Sequence, residues 1–272
     1  MSTLMTTPRR WRPTPLILTA LLIHPGALVA VVLRPACWPW ALVAVCLAHL
    51  ALTAAGLWPR SRLLGPNWTR LPPAAIARGE IALTIDDGPD PEVTPAVLDL
   101  LDRYQVRATF FCIGERAAAH PELVADIVRR GHALENHSYF HRHHFSLFGP
   151  ARMRDDISRA QTTLARFSPH PPRFFRAPAG LRNPFLEPVL AALGLTLASW
   201  SKRGFDTRDG RAAFVLARLT RKLAAGDILL LHDGNAARDA AGQPVILTVL
   251  PPLLDAIARA GLTPVTLNPC QP

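Results

Sequence analysis

Two adjacent carboxylates, Asp86 and Asp87, close the apolar run Ile81-Ala82-Leu83-Thr84-Ile85 and lead straight into Gly88-Pro89. Two like charges leaving a buried stretch for a tight turn repel each other and lose hydration, so the placement calls for a cation or a shared proton. Three further polar motifs each follow an apolar run: His137-Ser138-Tyr139-Phe140-His141, Arg176-Ala177-Pro178-Ala179-Gly180 and Leu230-Leu231-His232-Asp233-Gly234. His137 and His141 stand four apart, a spacing that predicts both imidazoles on one side of a helical turn. Two imidazoles and one carboxylate make a mixed nitrogen and oxygen donor set suited to zinc or another first-row divalent ion, with positions left open for water and substrate. One of Asp86 and Asp87 would then ligate the ion while the other takes a proton from water; on the residues alone either can fill either part. His132, His143 and His144 nearby read as solvated side chains.

These motifs need a scaffold. Seven short apolar runs read as strands, at residues 81–85, 108–113, 132–136, 173–177, 195–200, 227–231 and 262–267. Helical spacing fills most of the intervals. Val97, Leu98, Leu101 and Tyr104 share one face, Leu123, Ile127 and Val128 another, and Leu250, Leu253, Leu254 and Ile257 a third; residues 148–167 and 212–225 complete the set. Strand and helix in alternation predict a parallel α/β architecture. Polar motifs at the C-terminal ends of several strands favour a (β/α) barrel, which gathers them at one mouth, over an open sheet. No glycine-rich phosphate loop follows the first strand, which argues against nucleotide binding.

The formal net charge of +10 suggests nucleic acid until its distribution is read. No Asp or Glu precedes Glu80, whereas eight arginines do, leaving residues 80–272 at only +2, so no nucleic-acid partner is expected. The basic segment reads instead as a membrane hairpin over residues 1–58. Residues 15–33 and 40–58 are each 19 residues without a formal charge, close to the roughly 20 that cross a hydrocarbon layer. Trp11, Trp38, Trp40 and Trp58 fall at their ends, where indoles favour the membrane boundary. His24-Pro25-Gly26 predicts a kink or partial re-entry in the first stretch. Arginines cluster before the first span and after the second, a bias that puts both termini, and the catalytic domain with them, on the cytoplasmic side of a bacterial-type inner membrane. Residues 59–79, with Pro59, Pro66, Pro72 and Pro73, read as a linker lifting a domain at 80–268 off the membrane. Cys37, Cys46, Cys112 and Cys270 match no metal or redox spacing and read as free thiols.

Taken in order and spacing, Thr84-Ile85-Asp86-Asp87-Gly88-Pro89, His137-x-x-x-His141, Arg176-x-Pro178-x-Gly180 and Leu229-x-Leu231-His232 resemble the polysaccharide deacetylases of carbohydrate esterase family four, the NodB homology domain. Ala108-Thr109-Phe110-Phe111 and Gly114 resemble that family's second strand. The resemblance covers about residues 80–268 and implies a distorted barrel of about seven strands. It implies Asp86 as general base and Asp87, His137 and His141 as ligands of a divalent metal, Zn2+ first, with Co2+, Ni2+ or Mn2+ as substitutes. It further implies His232 as general acid, Arg176 as the residue orienting the base, and Asp206, with Asp209 in competition, as the carboxylate behind His232. The backbone N–H of Ala179 would help hold an oxyanion. The family often carries an aromatic residue where this chain has Ala179, which removes a wall of the cleft; Trp200 is a candidate cleft aromatic or a core residue.

The expected activity is therefore metal-dependent hydrolysis of an N-acyl group, acetyl foremost, from an amino sugar. The substrate partner would be a polysaccharide, an oligosaccharide or a lipid-linked sugar, and the hairpin would partner membrane lipids. A deformylase or deacetylase of a lipid-linked sugar is the alternative. A catalytically silent carbohydrate-binding protein would be expected to lack Asp86 or His232, and both are present.

Overall fold

The computed structural model of the chain describes residues 7–267, so Cys270 and residue 268, the expected end of the domain, lie outside the described residues. The apolar runs become the parallel strands β1 (Glu80–Asp86), β2 (Thr109–Cys112), β3 (Ala133–Asn136), β4 (Phe174–Phe175), β5 (Thr196–Leu197), β7 (Ile228–His232) and β8 (Thr263–Val265). A further two-residue strand, β6 (Lys202–Arg203), lies where charged residues carry no apolar pattern. The sheet order is β5-β4-β3-β2-β1-β7-β6, and β8 pairs with the start of β1. β5 and β6 sit at opposite ends of that order yet only residues 198–201 join them, so the sheet curls into a distorted (β/α) barrel.

Alternation along β1 decides what faces where. Ile81, Leu83 and Ile85 pack outward with Leu229 and Leu231 under the helices, while Ala82 shares the inner cluster with Phe111, Ile228 and Leu230. The same period puts Thr84 and Asp86 on the inner face. The outer layer is α4 (Thr94–Arg103), α5 (Gly114–Ala119), α6 (Pro121–Arg129), α7 (Pro150–Leu164), α8 (Leu186–Leu193), α9 (Ala212–Thr220) and α10 (Val245–Arg259). The predicted face of α10 is buried, that of α4 is buried at Val97, Leu98 and Leu101 while Tyr104, at the helix C-cap, is exposed, and that of α6 centres on Val124 and Ile127 rather than Leu123. His132, read as solvated, is buried: its Nδ1 accepts from the Ala108 N–H at 3.2 Å, and burial pulls its pKa down to about 4.

At the N-terminus α1 (Pro15–Leu33) and α2 (Trp38–Leu57) form an antiparallel pair. Of the kink or partial re-entry expected at His24-Pro25-Gly26, re-entry does not occur, since α1 continues as a helix with Pro25 inside it, and α2 begins two residues earlier than its apolar stretch. Both helices are mostly uncovered, with Leu22, Leu33 and Trp40 about three-quarters exposed (71%, 75% and 76%). Cys37, Cys46 and Cys112 are free thiols.

Residues 59–79 do not act as a spacer. Leu64, Leu71 and Ala75 are buried, and α3 (Pro73–Ala77) lies against β1. Trp68 donates to Leu197 O at 2.9 Å and accepts from the Ser199 N–H at 2.8 Å, while the Leu71 N–H reaches Gly226 O at 2.9 Å. The segment thus lies along the seam between the ends of β5 and β7, satisfying backbone groups that an open edge would expose. The hairpin is tied down as well. Arg182 donates its N–H to Gly56 O at 3.2 Å, and a Cβ on Gly56 would fall 2.2 Å from Arg182 O, so only glycine permits the approach.

Candidate active site

The C-terminal ends of the strands converge on one cluster. Asp86 ends β1 and His232 ends β7, and the two are register partners. Asp87 follows with φ 74°, a left-handed conformation that turns its carboxylate away from the line of β1 and costs a non-glycine residue about 1–2 kcal/mol. His137 and His141 do share a site, but not through a helical turn. The segment after β3 is irregular, with φ 64° at Ser138 and 49° at His141, and it is held by the Ser138 N–H on Asn136 Oδ1 and the Tyr139 N–H on Asp156 Oδ1.

Asp87 Oδ1 lies 3.2 Å from His137 Nε2 and 3.1 Å from His141 Nε2. His137 Nδ1 is 2.8 Å from Arg176 O, an acceptor only, so Nδ1 carries the proton and Nε2 presents a lone pair. Asp87 Oδ1 is buried without a hydrogen-bond partner. A buried carboxylate oxygen beside an unprotonated imidazole nitrogen lacks a positive charge, and a divalent cation between them supplies it. Asp87, His137 and His141 offer ligand atoms all within 4.8 Å of one another, so this donor set fits a small divalent metal. Their ionisation agrees. Burial opposes the charge on Asp87, yet a proton on the facing His137, then one on His141, and the cationic His232 outweigh it and hold the carboxyl well below its usual range. Burial, then His137, pulls His141 down to about 4, leaving it neutral near pH 7 as a ligand must be.

Asp86 is held differently. Arg176 Nη1 donates to Asp86 Oδ1 at 2.6 Å and to Thr84 Oγ1 at 2.8 Å, while Nε reaches Ala198 O at 3.2 Å and Nη2 reaches Ser199 O at 2.9 Å. The guanidinium is fully buried and stacks 4.0 Å over Phe111. A buried ion pair is tolerable here because Arg176 has three further hydrogen bonds, to Thr84, Ala198 and Ser199, to replace lost water. Asp86 Oδ2 remains directed to the cluster, 3.7 Å from His137 Nε2.

On the far side Asp206 accepts from the His232 N–H at 2.7 Å and lies 2.9 Å from His232 Nδ1. Burial lowers the His232 pKa, but Asp206 more than reverses that, with Asp87 and Asp86 adding to it, and the result is about 9. The competing Asp209 faces away and pairs with Arg211 at 2.6 Å on the surface. Ala179, at φ 55°, is exposed at the rim. Trp200 is 7% exposed, packed against the barrel interior with its ring centroid 5.9 Å from the Arg176 guanidinium, and it also lines a neighbouring cavity.

Two supporting residues escaped the sequence reading. Asn235 Nδ2 donates to Asp87 Oδ2 at 3.0 Å, and Arg116 of α5 donates to Asp87 O at 2.8 Å and to Asn235 Oδ1 at 3.1 Å. Asn235 lies close after His232 in a polar turn, the only local hint; Arg116 carries none. Asp233, part of the polar motif that follows β7, is buried, accepts from Thr94 Oγ1 at 2.5 Å and is pushed up to about 7 by burial. It fills the space over Gly88, where a Cβ would fall 2.4 Å from its carboxylate.

A parallel barrel with an Asp-His-His cluster, an arginine-held aspartate and an aspartate-backed histidine at one mouth defines a metal-assisted hydrolase site. Residues 76–198 match the family described as polysaccharide deacetylase. Over 191 residues the chain is 36% identical to a chitooligosaccharide deacetylase of Bradyrhizobium sp. (strain ANU 289), spanning 66% of this chain and 85% of that one. Among solved structures it is similar to the Bc1960 peptidoglycan N-acetylglucosamine deacetylase, with TM-score 0.67, 26% identity and coverage of 75% and 92%. It is also similar to a family 4 carbohydrate esterase of Streptomyces lividans, with TM-score 0.62, 33% identity and coverage of 68% and 91%. The chain belongs to the polysaccharide deacetylase family, the carbohydrate esterases of family four.

Proposed function

We propose that the protein hydrolyses the N-acetyl group of an N-acetylated amino sugar. The observation that carries this reading is the joint placement of Asp87, His137 and His141 around one point beside both the Asp86–Arg176 pair and the His232–Asp206 pair. Asp87, His137 and His141 would hold the divalent ion, Zn2+ first. Such an ion, when bound, supplies Lewis-acid polarisation of the scissile carbonyl and of water. Asp86 accepts the proton of the attacking water through Oδ2, since Oδ1 is fixed by Arg176. The Ala179 N–H donates to the oxygen of the tetrahedral intermediate. His232, kept cationic by Asp206, gives its proton to the departing amine, the step an amide needs because its nitrogen leaves poorly. Arg176 acts by orienting Asp86.

The relatives whose names specify a substrate act on chitooligosaccharide and on peptidoglycan N-acetylglucosamine, which supports a glycan substrate here. α1 and α2, apolar and largely uncovered, are read as a membrane anchor. The arginine bias supports a domain at the cytoplasmic surface of the membrane, where a lipid-linked amino sugar would be accessible. The test is release of acetate and a free amine from N-acetylated chitooligosaccharide or a peptidoglycan fragment by the zinc-loaded chain. Release that stops in Asp86→Asn supports the assignment; no release from any N-acylated amino sugar removes it.

A further inference from the structure

A cavity of about 630 Å3 opens beside the site described above. Its wall carries Arg60, Lys202, Arg203, Arg218, Arg221 and Lys222 and no carboxylate among the described residues. Lys202 is paired, with its Nζ on Lys222 O at 2.9 Å and 3.7 Å from Asp227 Oδ2, and Arg203 is within reach of the field of the buried Asp206 and Asp86, whereas Arg60, Arg218, Arg221 and Lys222 form no ion pair among the described residues. Arg218 stacks on Phe205 at 4.6 Å, and Arg203 lies 5.3 Å from the Trp200 ring and 5.0 Å from that of Phe205. Arg203 Nε is buried and has no hydrogen-bond partner. Like charges gathered in a partly enclosed space repel one another, so an anion of more than one charge is the ligand that relieves them.

Two further observations narrow the ligand. Trp200 forms part of the cavity wall and also neighbours the Arg176 guanidinium, so the cavity and the proposed deacetylation site share a side chain. Trp58, at the end of α2, also lines the cavity. The cavity therefore borders both a neighbour of the reacting centre and the base of the apolar hairpin, which Arg182 fixes to the domain.

We infer that this cavity is a phosphate subsite, holding the phosphate or diphosphate ester of a membrane-borne ligand while the amino sugar occupies the adjacent site. The inference rests on the deacetylase and membrane-anchor readings for the identity of that ligand, and on the basic cavity alone for its phosphate. Two sources share this chemistry, the ester joining a sugar to its lipid and the headgroup of an ordinary anionic phospholipid.

The test titrates inorganic pyrophosphate calorimetrically into the full zinc-loaded chain in nanodiscs of phosphatidylcholine. Wild type is expected to bind, and Arg218→Ala/Arg221→Ala/Lys222→Ala, which alters exposed side chains, to bind at least about ten-fold more weakly. Arg203→Gln is expected to weaken binding in the same direction. His137→Ala, which disables the ion site, is expected to retain it; loss there would put the probe on the ion and overturn the proposal, as would equal affinity in wild type and the cavity variants. Repeating the titration with phosphatidylglycerol in the disc separates the sources: weakened pyrophosphate binding assigns the subsite to a phospholipid headgroup, and unchanged binding assigns it to a substrate phosphate. Because the readout is binding, a chain that holds pyrophosphate but cleaves no N-acetyl sugar keeps this inference and discards the deacetylase reading.

Discussion

Asp86 and His232 are register partners at the C-terminal ends of adjacent parallel strands, so the proposed base and acid hang from neighbouring points of one rigid sheet. The sheet thus sets their separation, and each is then fixed by one buried partner, Arg176 for Asp86 and Asp206 for His232.

Removing the base without disturbing the ligands isolates its role. Asp86→Asn keeps the shape and the Arg176 contact, and kcat is expected to fall about 10²–10⁴-fold, the usual contribution of general-base catalysis, with zinc content unchanged. Steady-state kinetics alongside metal analysis checks both halves, and full turnover in the variant would remove Asp86 from the mechanism.

The His232–Asp206 pair predicts a specific pH response. An acid must be protonated to act, and His232 titrates at about 9, so activity is expected to persist through neutrality and fall as pH rises through about 9. Asp206→Asn removes the main force raising that value, leaving burial to lower it. The alkaline limb of kcat/KM should then move to lower pH; an unmoved limb would show that another group reports there.

Asn235 and Arg116 hold Asp87 from behind, so their loss should loosen the ion site without removing a ligand. Asn235→Ala or Arg116→Ala is expected to weaken zinc affinity about 10–100-fold, the range for partners of metal ligands. Activity should recover at raised zinc concentration, and a defect that zinc does not rescue would argue against this role.

Chelation should also destabilise the fold. Asp87 Oδ1 and His137 are buried with His141 partly covered beside them, and an ion at 100 times its Kd stabilises the folded state by about 2.7 kcal/mol. Stripping the metal is expected to lower Tm and abolish turnover, with both restored by zinc. A Tm indifferent to metal would contradict the buried site.

Much of this site can be read in the chain because strand-end motifs depend on local pattern. Asp86-Asp87 after an apolar run, and His232 after another, stand where period-two burial ends. His137 and His141 were expected together, but on a helical turn; the actual backbone uses left-handed Ser138 and His141, which no spacing rule encodes. Asn235 and Arg116 act through the approach of a loop to α5, a tertiary event without a local signal. Residues 59–79 look like a spacer because proline and arginine dominate them, yet Trp68 and Leu71 find backbone partners on the sheet. β6 is hidden because Lys202 and Arg203 pair through backbone alone.

The central claim is that one divalent ion sits among Asp87, His137 and His141 while Asp86 stays free of it. Anomalous diffraction at the zinc edge from crystals of the zinc-loaded chain measures this directly. A single peak in contact with Asp87, His137 Nε2 and His141 Nε2, with Asp86 still on Arg176, is the expected result; an active chain with no peak there, or with Asp86 as the ligand in place of Asp87, would contradict it.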